Sequence, residues 1–323
     1  MADQLFKFLF EGRETARSSV RGEIVSLKDT WREIRAQHDY PAPVLRMLGE
    51  LVAASTLLSA NLKFNGALIM QIHGDGPVTL LVVECNADLT VRATAKLAEG
   101  VTIAEDAGFQ DLVNRNGKGR FALTLDPKDR QHGQQPYQGI VPLEGDSVAR
   151  ALENYMLRSE QLDTHLWLAA DEERANGVLL QKLPFAGGDD LFDAAGTDLV
   201  SELEASLETW NRVVTFANTL ERAELLEVDP QTLMRRLFWE ETLRVFEPLP
   251  CSFHCSCSRE RVAAMLVTLG QREVDDTLLD QGSVDVNCEF CNRQYRFDAV
   301  DCAQLFATSN TADGVRAATL QRH

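Results

Sequence analysis

The sequence predicts an α+β chain in three parts: an N-terminal α/β core domain with a mainly antiparallel sheet, a helical linker, and a small C-terminal domain built around paired cysteines. Three observations predict it. Up to about residue 185, short apolar runs bounded by turn residues mix with a few helical stripes. Residues 186–250 turn acidic yet keep large apolar side chains at helical spacing. Five of the seven cysteines crowd between residues 251 and 291.

The core domain, residues 1–185, reads in order as follows. Asp29 stands where it can cap a short helix carrying Trp31 and Ile34, and Tyr40-Pro41 then breaks the chain. Apolar residues recur at Val44, Leu48, Leu51, Val52, Leu58 and Leu62, which is helical spacing. GALIMQI and VTLLVVE follow as strands across a Gly-Asp-Gly-Pro turn. LTVRATAKL, GRFALTL and YQGIVPL read as further strands. A second helix begins near Asp146, with a stripe at Val148, Leu152, Tyr155 and Leu162, before HLWLAA and GVLLQKL return to strand.

The linker, residues 186–250, opens on the turn-rich stretch AGGDDLFDAAGTD and carries 14 acidic against 5 basic side chains. Leu199, Leu203, Leu207, Trp210, Val214 and Ala217 share one predicted helical face, widened by Val213, Phe216 and Leu220. Asp229-Pro230 starts another helix, with Asp as cap and Pro in the first turn. Two readings stand side by side: a helical connector packed on its neighbours, and a metastable segment folded only while its neighbours hold it.

Composition narrows the function classes. The chain has 323 residues, 45% hydrophobic and 25% charged, with a formal net charge of -17. That balance argues against nucleic acid as a partner, since phosphate binding needs a basic face. No stretch approaches 18 consecutive apolar residues, so no membrane span is expected. The N-terminus lacks the pattern of a secretion signal, and a cytoplasmic location with reduced thiols follows by default.

The C-terminal domain, residues 251–308, carries the chemistry, and 309–323 is expected to form a disordered tail. Its core is Cys255-x-Cys257, thirty intervening residues, then Cys288-x-x-Cys291. Residues i and i+2 of a strand point the same way, so Cys255 and Cys257 face one ion. A tight turn converges the sulfurs of Cys288 and Cys291. Four thiolates suit tetrahedral Zn2+, one per chain, and leave no open position for a substrate. Cys251 and His254 are rival ligands nearby; Cys85 and Cys302 stand alone. Ser258 is placed to cap a helix with Val262, Met265, Leu266 and Leu269, stopped by Gly270. A short helix with Val274, Leu278 and Leu279 follows, and Val284/Val286 and Tyr295/Phe297 alternate as a hairpin.

Such a site can act as a switch. A unit of about 55 residues rarely stands without a staple. Structural zinc contributes roughly 10–16 kcal/mol, against a domain stability of about 5–15 kcal/mol. Thiolate ligands are also the oxidisable form of cysteine, and each vicinal pair can close into a disulfide. Oxidation then releases the ion, unfolds the unit and removes support from the linker. Two other classes compete. Arg259, Arg261, Arg293 and Arg296 around the thiolates could serve a zinc-ribbon nucleic-acid module, or merely balance the sulfur charge. A metalloenzyme would need an acid/base pair, and His73 with Asp75 beside the Gly-Asp-Gly-Pro turn is the weak candidate.

RGEIVSLKDTW, HDYPAPVLRMLGELVAASTLLSANLKF, YQGIVPLEGDSVARALENYMLRSEQL, CSCSRERV and CEFCNRQYRF together resemble the redox-regulated heat-shock protein 33 kDa chaperonin family over nearly the whole chain. The resemblance implies a chaperone without enzymatic activity, inactive while reduced and zinc-bound through Cys255, Cys257, Cys288 and Cys291. It implies disulfides Cys255–Cys257 and Cys288–Cys291 on oxidation, a linker that loses its order, a homodimer, and unfolding client proteins held without ATP in a bacterial cytoplasm. Apolar faces including Leu203, Trp210 and Phe216 are the expected client contacts. Nucleic acid and membrane are not expected partners. Cys251 departs from the four-ligand pattern and leaves the pairing under oxidation open to exchange.

Overall fold

The structure is a computed structural model that describes residues 3–11, 20–62, 65–129, 135–184 and 199–307, the side chains of 199–202 excepted. The stretch 185–198 at the head of the linker and the tail from 308 lie outside the described residues. The chain divides into two compact units between His254 and Cys255. The expected boundary at 251 is therefore displaced by a short strand that stays with the first unit.

The first unit contains β1 (Gln4–Phe10), β2 (Val20–Leu27), α1 (Asp29–Arg35), α2 (Ala42–Ser59), β3 (Gly66–His73), β4 (Val78–Asn86) and β5 (Thr90–Leu97). It continues through α3 (Phe109–Val113), β6 (Arg120–Pro127), β7 (Tyr137–Pro142), α4 (Val148–Ser159), β8 (Thr164–Ala170) and β9 (Ala175–Lys182). The linker region adds α5 (Leu199–Ala217), α6 (Arg222–Glu227), α7 (Pro230–Leu237), β10 (Leu243–Val245), β11 (Leu249–Pro250) and β12 (Ser252–Phe253). One sheet runs β10-β1-β2-β9-β8 with β11 also on β1; the other runs β12-β5-β4-β3-β6-β7. Every pairing is antiparallel except β12 on β5.

α2 lies in the core between the two sheets. Fourteen of its residues are buried, so it is apolar nearly all round. By length and composition alone it is long and apolar enough to cross a membrane. Here that surface is spent on Leu5, Val25 and Leu179 of one sheet and Met70, Leu81 and Val83 of the other.

β1 and β2 escape a reading by apolar runs, because QLFKFLF looks like neither a clean strand nor a helix. Period 2 explains it. Phe6, Phe8 and Phe10 point to one face, with Ile24, Val178 and Leu180 beside them. Leu5 and Val25 point to the other, toward α2. Gly22 has no Cβ because the Phe8 ring occupies that space. On the Phe face lie Trp210, Val213 and Ala217 of α5, Leu225 and Leu226 of α6, and Leu233, Met234 and Leu237 of α7, followed by Phe238. Asp229 caps α7 as expected, its carboxylate accepting from the Thr232 N–H at 3.0 Å. The linker's described part is thus docked on a sheet.

The face of α5 differs from expectation. Leu203 and Leu207 are exposed, whereas Ser206, Trp210, Val213 and Ala217 are buried. The helix presents the stripe one residue round from the leucine row, where the bulky indole meets the sheet. Leu162 lies beyond the end of α4. The cap of α1 also differs. Asp29 makes no cap bond; the Asp3 carboxylate accepts from the N–H groups of Lys28, Asp29 and Thr30 at 2.8, 3.2 and 2.6 Å.

The second unit holds α8 (Arg259–Leu269), α9 (Gln271–Gln281), β13 (Val284–Asn287) and β14 (Gln294–Phe297), with residues 299–307 helical after them. Ser258 Oγ accepts from the Arg261 N–H, and Gly270 ends α8 at φ +105°, a conformation that favours glycine. The core comprises Val262, Leu266, Val274, Val284, Tyr295, Phe297, Cys302 and Phe306. Leu279, expected on the inner face of α9, points to solvent.

Candidate metal centre

The site is built by two short segments of the second unit. β13 and β14 pair in register Val284↔Phe297 to Asn287↔Gln294, which leaves Cys288 to Arg293 as the connecting turn. Two backbone bonds close it: the Cys288 N–H to the Arg293 carbonyl at 2.9 Å and the Asn292 N–H to the Cys288 carbonyl at 2.8 Å. Asn292 takes the left-handed conformation at φ +50°, which asparagine tolerates. Cys255 and Cys257 precede the Ser258 cap. Between them the Ser256 carbonyl and hydroxyl both accept from Arg261 Nη1, at 2.9 and 2.6 Å.

These segments bring the four predicted sulfurs together. The Sγ atoms of Cys255, Cys257, Cys288 and Cys291 all lie within 4.8 Å of one another. Cys255 and Cys288 stand 3.7 Å apart, Cys257 and Cys291 3.3 Å. Sulfurs held about 2.3 Å from a tetrahedral zinc are about 3.8 Å apart along each edge. The spacing and the all-thiol donor set therefore fit a zinc ion.

The comparisons with known proteins agree with this arrangement. The family model described as Hsp33 protein matches residues 3–298. The chain belongs to the Hsp33 family. A curated relative from Methylobacillus flagellatus, named 33 kDa chaperonin, is 46% identical over 97% of this chain and 98% of its own length. One of the same name from Chromobacterium violaceum is 47% identical over 99% of this chain and 98% of its own. A crystal structure of the 33 kDa chaperonin of Thermotoga maritima covers 95% of this chain and 99% of that one at a TM-score of 0.72 and 20% identity, which shows the shared fold.

In this Hsp33 family member the thiols are not equivalent. Burial alone raises the Cys257 thiol, but hydrogen bonds from the Tyr295 hydroxyl and from the other three cysteines outweigh it and bring Cys257 down to about 7. Cys291 is pushed up to about 12, by burial first and then by the neighbouring sulfurs. A bound divalent cation would draw the protons from all four.

The rival ligands fall elsewhere. The four-sulfur group includes neither Cys251 nor His254. Cys251 is buried in the core of the first unit, where burial raises its thiol, and its N–H bonds to the Asp3 carbonyl at 3.0 Å. His254 is exposed, and its N–H bonds to the Val91 carbonyl. Cys85 and Cys302 are buried among apolar side chains.

The surrounding arginines are engaged within the unit. Arg259 lies 4.1 Å over the Phe297 ring and bonds to Asp301 at 2.7 Å. Arg296 faces Asp285 at 3.8 Å, and Arg293 bonds to Tyr295. Asp75 is explained without catalysis: its carboxylate accepts from the N–H groups of Asn116 and Lys118 at 3.1 and 2.8 Å, closing a loop. Of the expected client contacts, Leu203 is 46% exposed, Phe216 is half-buried, and Trp210 is buried and stacked on His165 at 5.5 Å. The period-2 pattern placed Tyr295 with Phe297 on a hairpin strand, but its hydroxyl contact with Cys257 at 3.1 Å had no signature in the spacing.

Proposed function

We propose that this chain is a redox-regulated, ATP-independent holdase chaperone of the bacterial cytoplasm, silent while reduced and zinc-bound. The chaperone role is supported by the family and by the names of its relatives. The redox reading is carried by one observation: four cysteine sulfurs within 4.8 Å of one another in a unit whose described core is eight side chains. Cys255, Cys257, Cys288 and Cys291 would hold Zn2+, one per chain. Bound there, the ion supplies a four-way cross-link between the segment before α8 and the β13–β14 turn.

The chain's own residues do the rest. Oxidation turns the thiolates into Cys255–Cys257 and Cys288–Cys291 disulfides, which no longer present the anionic donors that hold the ion. The small unit loses its staple and unfolds. The segment 186–250 is the metastable linker that follows it. Its docked side, including Trp210, Leu233, Met234 and Phe238, covers Phe6, Phe8 and Phe10 of β1. Release of the linker exposes both apolar faces to unfolding clients, with Leu203, Trp210 and Phe216 among the contacts. The same exposed surface favours a homodimer. The net charge of -17 supports the absence of nucleic-acid and anionic-membrane partners.

The test couples metal release to activity. Reduced protein should not suppress light scattering by a thermally unfolding client. Peroxide with heat, or hypochlorite, should release about one zinc per chain and switch suppression on. Equal suppression before and after oxidation, unaffected by Cys288→Ser, would falsify the redox reading.

A further inference from the structure

The Tyr295 hydroxyl has no packing role that its ring does not already fill. Tyr295 and Phe297 stand two residues apart on β14, point to the same side and share one core, 8% and 1% exposed. Phenylalanine serves at 297. The hydroxyl at 295 is only part-buried, and a hydroxyl drawn partly out of water is held by an acceptor. That acceptor is Cys257 Sγ, 3.1 Å away. The Arg293 side chain bonds to the same tyrosine, and the Arg293 backbone N–H bonds to Cys291. Two sulfurs of the site that stand 3.3 Å apart therefore each receive a donor from outside the cysteine set, one from a side chain and one from the backbone.

We propose that Tyr295 is a positioning residue of the metal centre: its hydroxyl hydrogen-bonds the Cys257 thiolate, tightening the hold of the four sulfurs on zinc and slowing oxidative release. This rests on the zinc-thiolate reading of the site. Two thiolate charges beyond those of the ion must be dispersed in a zinc tetrathiolate, and a hydrogen bond to sulfur does so. It also withdraws electron density from the lone pair that attacks an oxidant. With peroxide, one thiolate sulfur attacks an oxygen, the O–O bond breaks, and a sulfenic acid and hydroxide form. A second thiolate then attacks that sulfur, forming the S–S bond and expelling a second hydroxide. Two solvent protons complete two waters, and the two electrons come from the sulfur pair.

The test compares wild type with Tyr295→Phe in the full reduced chain, by zinc content, zinc affinity against a competing chelator, and the rate of zinc release by peroxide. Outer-shell partners of metal ligands are typically worth about 10- to 100-fold in affinity. The variant should lose affinity in that range, release zinc correspondingly faster, and keep the amide protection of β13 and β14. Loaded with Co2+, it should show its sulfur-to-metal charge-transfer band at lower energy, a change that ring packing alone does not produce. Unchanged affinity, release rate and band position overturn the role while leaving the zinc site standing. A wild-type chain that binds no zinc overturns both together. Should Tyr295→Phe fail to fold, site-specific fluorotyrosine at 295, a stronger donor, is expected to slow release and raise the band energy. Release as fast as wild type overturns the proposal.

Discussion

Phe238 offers a direct measure of how the linker is held. Its ring is 1% exposed and meets two rings of β1, Phe10 edge-on at 4.9 Å and Phe8 tilted at 5.8 Å. Replacing a buried phenylalanine by alanine costs about 3–5 kcal/mol, to which such ring pairs contribute about 0.5–1.5 kcal/mol each. At about 1.4 kcal/mol per tenfold change, Phe238→Ala should raise the opening constant of the docked helices roughly 10²- to 10⁴-fold. Hydrogen exchange followed by mass spectrometry reads this directly: peptides from α6 and α7 should lose protection by that factor, while α2 keeps its own. Trp239→Ala is the internal control, since Trp239 is 76% exposed and its loss should change stability by no more than about 0.5 kcal/mol. The reduced, zinc-loaded Phe238→Ala protein should also suppress client aggregation in part, without oxidant. Two results would refute the reasoning. If Phe238→Ala and Trp239→Ala exchange alike, the aromatic contact does not hold the linker. If α2 loses protection in step with α7, the linker is not a separate cooperative unit.

Two further outcomes follow from single buried groups. Glu23 is buried on β2, its Oε1 accepts from Asn61 at 2.5 Å, and its Oε2 finds no donor among the described residues. Burial raises its carboxyl from 4.5 to about 7, with Arg21 and Lys7 opposing. The folded state therefore holds this proton more tightly than the unfolded chain does. Its stabilising effect is complete below about 4.5, falls as pH rises to about 7, and is flat above. The change is on the order of 3 kcal/mol at about 1.4 kcal/mol per pKa unit. Urea unfolding between pH 5 and pH 8 should show this slope, reduced in Glu23→Gln; Glu50, raised likewise by burial, leaves a remainder of the same sign. An unchanged slope in Glu23→Gln would count against the buried charge. Cys251→Ala should leave zinc stoichiometry at the wild-type value, because this thiol sits in the apolar core of the first unit, whereas Cys288→Ser should lower it. Atomic absorption on both variants decides, and zinc loss in Cys251→Ala would make it a ligand after all.

Local features were legible where the signal is short-range. The caps Ser258 and Asp229 were found from the residue type beside an apolar stripe, since a cap bond spans three residues. The strands from β3 to β9 were marked by turn residues at their ends. The cap of α1 was not legible, because its acceptor is Asp3, 26 residues away just before β1. The paired face of β1 and β2 was hidden for a related reason. Both faces of that sheet are buried, so Leu5 and Phe6 are equally apolar and the alternation that marks a half-exposed strand is lost. In α5 the widened apolar row allowed several faces, and contact with the sheet selected the one bearing Trp210 and Val213.

The sequence by itself marked the four cysteines of the candidate metal centre: two pairs, each close enough in the chain for its own two sulfurs to converge. It also determined the order of helices and strands, because caps, turns and periodicity act over a few residues. Only the tertiary structure decided which side of the linker is covered, that Cys251 belongs to the first unit's core rather than to the four-cysteine cluster, and that a tyrosine hydroxyl reaches the Cys257 sulfur. Those outcomes depend on which distant segments meet, and packing settles that by excluding water and filling space, a competition that no local pattern records.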